Sequence, residues 1–489
     1  MTSAAEYDTS FLAMPDQASL PMLRFMLRSI IANNTYKEVL LDIPHTCFHA
    51  VGPALVWDKP MLLALCNRLS KVVEGRHPAH ADDAIALCKL LFSHKHEVGK
   101  LYQSVVLNKW RRQPEVIKRA FSETLTALES ELVRQMVQHP NLAHLSALYG
   151  LDTLETEILE FALTLTERAL FRRYLWEMRF ESKASAWRFA ATMMSCSVQD
   201  LRTALKPTST LRACGLIHLD VNPNDLDGFI RVGPMSLRLS VFKAESREAL
   251  QNEVLQPVAP PSLTLADFPH LENEFNWIVQ CLQTAVRTRE TGVNILIQGP
   301  SGTGKTQFAC LLVQAAGLCG FEVGVISPYV EPSDGIGGLL EHYCSIQGIL
   351  RTHPGAVLIF RETGTAAYYC DRLLKDRLET CTIPTIWISD EPTSMDDSIL
   401  RRFVFHLELH NPPIGPRRHL VSQVTSGIAI EPDKLESIAA DTSITPAQLK
   451  MAARFARLLT EGGPESRAQA FLSAVDASQR VNARALEES

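Results

Sequence analysis

The chain has 489 residues, with 48 Lys and Arg against 54 Asp and Glu, a net charge of −6, and 46% hydrophobic residues. That length fits about three or four domains, and the apolar share is ordinary for globular cores. The dispersed, slightly negative charge gives the whole molecule no electrostatic case for nucleic acid or a membrane surface. Eleven cysteines are scattered without a C-x-x-C pair, which argues against a zinc ribbon and fits reduced thiols. Met1 to Leu20 holds Glu6, Asp8 and Asp16 without a positive run, so it does not read as a secretory signal. No apolar run approaches the roughly 20 residues that span a bilayer. The expectation is a soluble, cytoplasmic protein with no membrane partner.

Residues 1–149 read as a helical N-terminal domain. Met61 to Leu65, Ala84 to Leu91 and Glu123 to Val137 have helical apolar spacing. Lys109-Trp110-Arg111-Arg112 with Lys118-Arg119 is locally basic and reads as a solvated face. Residues 150–252 read as a winged-helix-like domain. Leu154 to Leu165 is an apolar helix, Thr166 to Phe180 continues it with four arginines, and Ser197 caps another. Leu211 to Leu219 turns from helix to strand at Gly215, and Asp227 to Val232 adds a turn and a second strand. Such a unit can touch DNA or protein, and its own wing has few basic residues. Pro257, Pro260 and Pro261 mark 253–264 as a linker. Residues 265–410 alternate strand and helix patterns as an α/β domain does, and 411–489 are helical again.

The chemistry concentrates in the α/β part. Val293 to Gln298 is a short apolar strand, followed by Gly299-Pro300-Ser301-Gly302-Thr303-Gly304-Lys305-Thr306 and then a helix from Gln307 to Ala316. This is the strand, loop and helix context of a phosphate-cradling G-x-x-x-x-G-K-[ST] motif. Its glycines let successive N–H groups converge on phosphate oxygens. Lys305 supplies a cation to the β- and γ-phosphates, Thr306 a hydroxyl to Mg²⁺, and the helix N-terminus partial positive charge. The bound ligand is therefore expected to be ATP. A second apolar strand, Ala356 to Phe360, runs into Arg361-Glu362. Glu362 stands where a general base would, and Arg361 where an acid usually holds the metal's water shell.

With these residues in hand, 265 to about 460 resembles the AAA+ ATPases. The resemblance rests on the loop Gly299 to Thr306, the strand Val357 to Glu362, the strand Pro384 to Asp390 and the segment Ser398-Ile399-Leu400-Arg401-Arg402-Phe403. With the entry Leu263 to Pro269 and the upstream unit, it is similar to a bacterial branch of that family with an N-terminal helical, winged-helix-like region. The resemblance implies an α/β P-loop core with a parallel five-stranded sheet and a C-terminal helical lid. It implies a hexameric ring, of self or with a paralogue, with ATP between subunits. It makes Glu362 the water-polarising base, and Arg401 or Arg402 the finger that reaches a neighbour's γ-phosphate. It places Asp390 where a neutral sensor usually stands, and an exposed aromatic pore loop or an ordinary loop at Tyr329-Val330. In the lid, Arg454 is either a second sensor or a solvated residue.

Three positions depart from that pattern: Arg361 for the magnesium-shell acid, Asp390 for the neutral sensor, and Val404 after the Arg-Arg-Phe run, where this branch often has Asp. An Arg361–Asp390 ion pair would reconcile the first two. The leading expectation is an ATP-binding protein that acts by nucleotide-dependent assembly or conformational change, with hydrolysis impaired and Mg²⁺ in question. The rivals are an active motor that remodels a protein or nucleic acid, and a winged-helix DNA regulator that uses ATP as a ligand.

Overall fold

The computed structural model describes residues 20–36, 55, 96–135, 141–178, 180, 182–219, 229–241, 244–323, 335–361, 371–390, 397–459 and 463–487. The helices anticipated at Met61 to Leu65 and Ala84 to Leu91 lie outside them. The chain divides into two compact units, Met1–Gln251 and Asn252–Ser489. Among the described residues no helix is long and apolar enough to cross a membrane.

The first unit is mainly helical. Helix Leu20–Asn33 packs on Pro114–Gln135, Thr153–Glu167 and Lys183–Met193. Phe25, Phe161 and Phe171 meet at ring distances of 5.2 to 6.0 Å and exclude water from the contact. Beside them Arg28 lies 3.0 Å from Glu129 and also bonds Glu157, while Arg24 bonds Glu160. The continuous helix expected through Phe180 is interrupted. Arg168 is extended at φ −110° and ψ 98°, and a new helix runs Ala169–Glu177. No Gly or Pro marks this break in the sequence. Ser197 caps its helix as expected, its side chain accepting the Asp200 amide. After helix Thr210–Ala213, Gly215 at φ 66° turns the chain into strand β1, Ile217–Leu219. It pairs antiparallel with β2, Ile230–Val232.

The second unit is built on a six-stranded sheet: β3 (Gln256–Pro257), β4 (Asn294–Gln298), β5 (Cys319–Val323), β6 (Ala356–Phe360), β7 (Thr385–Ser389) and β8 (Phe405–Glu408). The spatial order is β3-β5-β6-β7-β4-β8. Five strands are parallel, and β3 joins the edge antiparallel through Gln256↔Glu322. The segment expected as a linker thus begins as the sheet's edge.

Strands β4, β6 and β7 are buried along their whole length, which explains why they read as unbroken apolar runs. Alternation then assigns the faces. Ile295, Ile297, Val357, Ile359, Ile386 and Ile388 meet Phe275, Ile278, Phe308 and Leu312 of helices Glu272–Thr288 and Lys305–Ala315. Phe360 and Trp387 point to the other side, where Tyr343 of helix Gly335–Leu350 lies 5.6 and 5.2 Å from them. That helix takes in Gly335 to Gly338, the end of the turn-rich stretch from Ser327; the earlier part lies outside the described residues. Asn294 at the start of β4 ties the sheet to its surroundings. Trp387 Nε1 donates to Asn294 Oδ1 at 2.9 Å, and Asn294 Nδ2 donates to the Leu378 carbonyl at 2.6 Å.

The lid comprises helices Ile414–Val424, Pro432–Ala440, Pro446–Leu458 and Pro464–Glu487. Its core contains Leu420, Val421, Ile438, Leu449, Ala452, Ala453 and Phe471. At its centre Arg417 is fully buried. Its guanidinium donates to the carbonyls of Ala439 at 2.9 Å, Ile444 at 2.8 Å and Ile438 at 3.3 Å, and to Asp441 O. These include the last carbonyls of helix Pro432–Ala440, which have no partner within the helix. Burial pulls the Arg417 pKa below the usual arginine value, and nearby Asp441 opposes that. The α/β P-loop core and helical lid expected from the sequence are therefore both present.

Candidate nucleotide-binding site

The loop after β4 emerges at the carboxyl ends of the parallel strands, where β4 lies between β7 and β8 while the chain crosses to β5. Crevices at such reversals of strand order are where open α/β sheets bind ligands. Two glycines are dictated by geometry. Gly299 has φ 146°, and a Cβ there would sit 2.2 Å from the Leu409 carbonyl oxygen. Gly304, at φ 102°, occupies the N-cap of helix Lys305–Ala315, where a Cβ would press on Phe268 at 3.2 Å. Side chains are thus excluded where the backbone must turn its amides into the loop.

The crevice is a cavity of about 790 Å³, within the usual range for small-ligand sites. Residues Ser301 to Gln307 line it, as do Arg361, Asp390 and, from the lid, Ala447 and Lys450. Leu263, Phe268, Pro412, Pro416 and Leu420 add apolar surface to its wall. The Pro-rich entry segment is fastened beside the loop: the Ser262 amide and hydroxyl donate to Gln307 Oε1 at 2.7 and 3.0 Å. The lid is tied to the loop directly, the Ala447 amide donating to the Gly302 carbonyl at 3.3 Å.

Lys305 is buried, at 5% exposure, and folded back on the loop. Its Nζ donates to the carbonyls of Gly299 at 2.7 Å and Pro300 at 2.8 Å, and lies 2.7 Å from Asp390 Oδ1. An ammonium has three protons, so these acceptors saturate it. Arg361 Nη1 lies 3.3 Å from Glu322 Oε2 on β5. The proposed Arg361–Asp390 pair does not form, because each has a nearer partner that the sequence did not reveal. The other two sequence candidates separate. Arg402 is 2.8 Å from Glu379 and also bonds the Ser398 carbonyl, whereas Arg401 is exposed. Neither lines the cavity. Val404 is exposed too, at 54%. Glu362 and Tyr329-Val330 lie outside the described residues. The lid cation in the cavity is Lys450, and Arg454, one turn later on the same helix, is exposed outside it. Lys450 was missed, although it sits four residues from the residue considered and so on the same face.

A protein-held Mg²⁺ is poorly matched by the described residues. Thr306 offers a hydroxyl. Of the carboxylates lining the cavity, Asp267 accepts the Thr264 amide at 2.8 Å as a turn cap, and Asp390 is taken by Lys305. At the end of β6, where a metal-holding acid is usual, stands the guanidinium of Arg361. Among the described residues no group of three or more His, Cys, Asp or Glu is placed to hold a metal.

No family model matches the sequence, and no curated protein does. Among solved structures, C. elegans PCH-2 is similar at 12% identity, over 42% of this chain and 70% of that one, with a TM-score of 0.35. The FIGL-1 AAA domain in complex with ADP is similar at 16% identity, over 45% of this chain and 86% of that one, with a TM-score of 0.36. The same domain in a second structure gives 16% identity, 44% and 85% coverage, and a TM-score of 0.34. Residues 252–489 have an α/β P-loop fold on their own topology: five parallel strands in the order β5-β6-β7-β4-β8, a loop of the phosphate-cradling pattern after β4, and a helical lid bonded to that loop.

Proposed function

We propose that residues 252–489 bind ATP and act through nucleotide-dependent assembly or conformational change, with hydrolysis impaired. What supports this reading is that the loop residues Ser301 to Thr306 line a cavity together with Arg361, rather than an acid, at the end of β6. The loop, Lys305, Thr306 and the helix N-terminus supply what a polyphosphate needs, and the apolar part of the cavity wall suits a base. Phosphoryl transfer needs its charge neutralised and its water positioned. Here the first of the two usual acids is a cation, and Asp390 adds negative charge where a neutral sensor is usual.

Assembly has a surface to bury. Met451, Phe455, Leu458 and Leu459 expose 61, 50, 68 and 39% of themselves along one side of helix Pro446–Leu458 and its end. Contiguous apolar surface of this kind marks interaction sites, and a second copy of this chain is the occupant we propose. In that assembly Arg401, exposed and not held by Glu379 as Arg402 is, serves as the residue offered to a neighbour.

ATP binding and phosphate release measured on wild type and Lys305→Ala test the reading. The expected result is binding that Lys305→Ala removes, with turnover near background. Steady turnover abolished by Glu362→Gln would overturn the impaired-hydrolysis part and favour an active motor. Light scattering with and without ATP tests assembly, which a Met451→Ser, Phe455→Ser double variant should weaken.

A further inference from the structure

We propose that this site takes its nucleoside triphosphate as the metal-free polyanion, with the Arg361 guanidinium supplying the positive charge that Mg²⁺ would bring. The inference rests on the nucleotide reading of the cavity and adds the ionic form of the ligand. Arg361 stands at the carboxyl end of β6 and lines the same cavity as Lys305 and Thr306. Its backbone is fixed there by the Arg361 amide, which donates to the Val323 carbonyl at 2.9 Å. Its side chain is free to exchange partners. The link to Glu322 is one contact at 3.3 Å on a side chain 49% exposed, and such surface pairs hold weakly. A guanidinium binds two phosphate oxygens at once through its planar fork, which an ammonium does not.

The surrounding charges support the same conclusion. Lys305, Arg361 and Lys450 line the cavity as three cations contributed by the loop, the sheet and the lid. A divalent ion in their midst would meet like charge, with the two described carboxylates of the wall already bonded. A bare triphosphate meets opposite charge from three sides. Its arrival releases Arg361 from Glu322 and Lys305 from Asp390, replacing two protein ion pairs with contacts to phosphate.

Titration calorimetry of ATP into the full chain, once in excess MgCl₂ and once in metal-free buffer with excess EDTA, tests this. The expected dissociation constant is at least about tenfold tighter in EDTA, because excess Mg²⁺ ties up the free polyanion that the site takes. Arg361→Ala should weaken binding in EDTA about 10- to 100-fold, the range for losing a charged hydrogen-bonding partner. Arg361→Lys should restore part of it. Arg361→Asp should make binding depend on Mg²⁺ by about tenfold or more. Thermal unfolding without nucleotide checks that each variant is folded, and the wild-type comparison of the two buffers needs no variant. Wild-type binding in MgCl₂ as tight as or tighter than in EDTA overturns the metal-free form and leaves the nucleotide reading in place. Wild type that binds in neither buffer overturns both.

Discussion

Asp390→Asn should tighten ATP binding. In the structure Asp390 occupies one of the three protons of Lys305, at 2.7 Å, while the other two go to the Gly299 and Pro300 carbonyls. A phosphate oxygen can reach Lys305 only by displacing one of these acceptors. A charge-assisted hydrogen bond is worth roughly 1.5–3 kcal/mol. The Asp390 side chain is 60% exposed, however, so solvent screening brings its share down to about 1 kcal/mol. A second contribution comes from removing a negative charge beside a polyanion. At roughly 8 Å and an effective dielectric near 40, between interior and bulk water, it is worth about 1 kcal/mol. Together they predict affinity raised about 5- to 30-fold, since 1.4 kcal/mol is about tenfold. Asp390→Glu, which keeps the charge, should fall well short of that. The gain should shrink as salt rises and screening shortens the reach of the charge. Calorimetry at low and high salt measures both effects. Affinity unchanged or weakened in Asp390→Asn would refute the reasoning, and would mean that the carboxylate helps the ligand rather than guarding Lys305.

Three further outcomes follow from the same geometry. Arg417→Met should destabilise the lid by about 3 kcal/mol or more, because four buried carbonyl contacts lose their donor; urea unfolding would show a lowered midpoint, and an unchanged midpoint would contradict the hub role. Gly299→Ala forces a Cβ to 2.2 Å from the Leu409 carbonyl oxygen, so we expect a loss of at least about 2 kcal/mol, read as a lower melting temperature together with lost ATP binding. Among the described cysteines, burial pushes the thiols of Cys310 and Cys344 up to about 11. At pH 8 both stay protonated and should resist iodoacetamide in the folded chain, whereas exposed Cys319 reacts before them. Peptide mapping after brief labelling reads the order, and early labelling of Cys344 would contradict its burial.

How much could be read from sequence depended on how local each interaction is. The loop Gly299 to Thr306 was legible because its chemistry is contiguous: the glycines, the lysine and the hydroxyl follow one another, with a strand before and a helix after. Strands β4, β6 and β7 were legible because both of their faces are covered, leaving apolar runs. The partners of the charged residues were not legible. Glu322 reaches Arg361 only through the register that sets Val323 beside Phe360, and Asp390 reaches Lys305 only because β7 lies next to β4. Sequence proximity to the strand ends made Arg361 and Asp390 look like natural partners, and the fold gave each a closer one. The break at Arg168 was hidden because no Gly or Pro announces it. Arg417 was overlooked because its acceptors are backbone carbonyls, which every residue has.

The pairing pattern also indicates how binding could act without cleavage. The two core cations of the cavity have separate partners, Lys305 in Asp390 and Arg361 in Glu322. The lid meets the loop at Gly302, where the Ala447 amide donates to the Gly302 carbonyl at 3.3 Å and Thr445 packs close by, and Lys450 lies one turn further along that helix. On the proposed reading, a polyphosphate would give Lys305, Arg361 and Lys450 a shared partner, joining loop, sheet and lid through the same group of oxygens. A ligand shifts a conformational equilibrium only by its differential affinity for the two states, and on the proposed reading Lys450, on the cavity wall, is the lid residue that supplies the difference. Lys450→Ala should therefore weaken ATP binding and remove the nucleotide's effect on assembly, while Arg454→Ala leaves both unchanged. Light scattering with and without ATP separates the two variants. An equal response from both would show that the lid's position is set by packing alone, with the bound charge having no part in it.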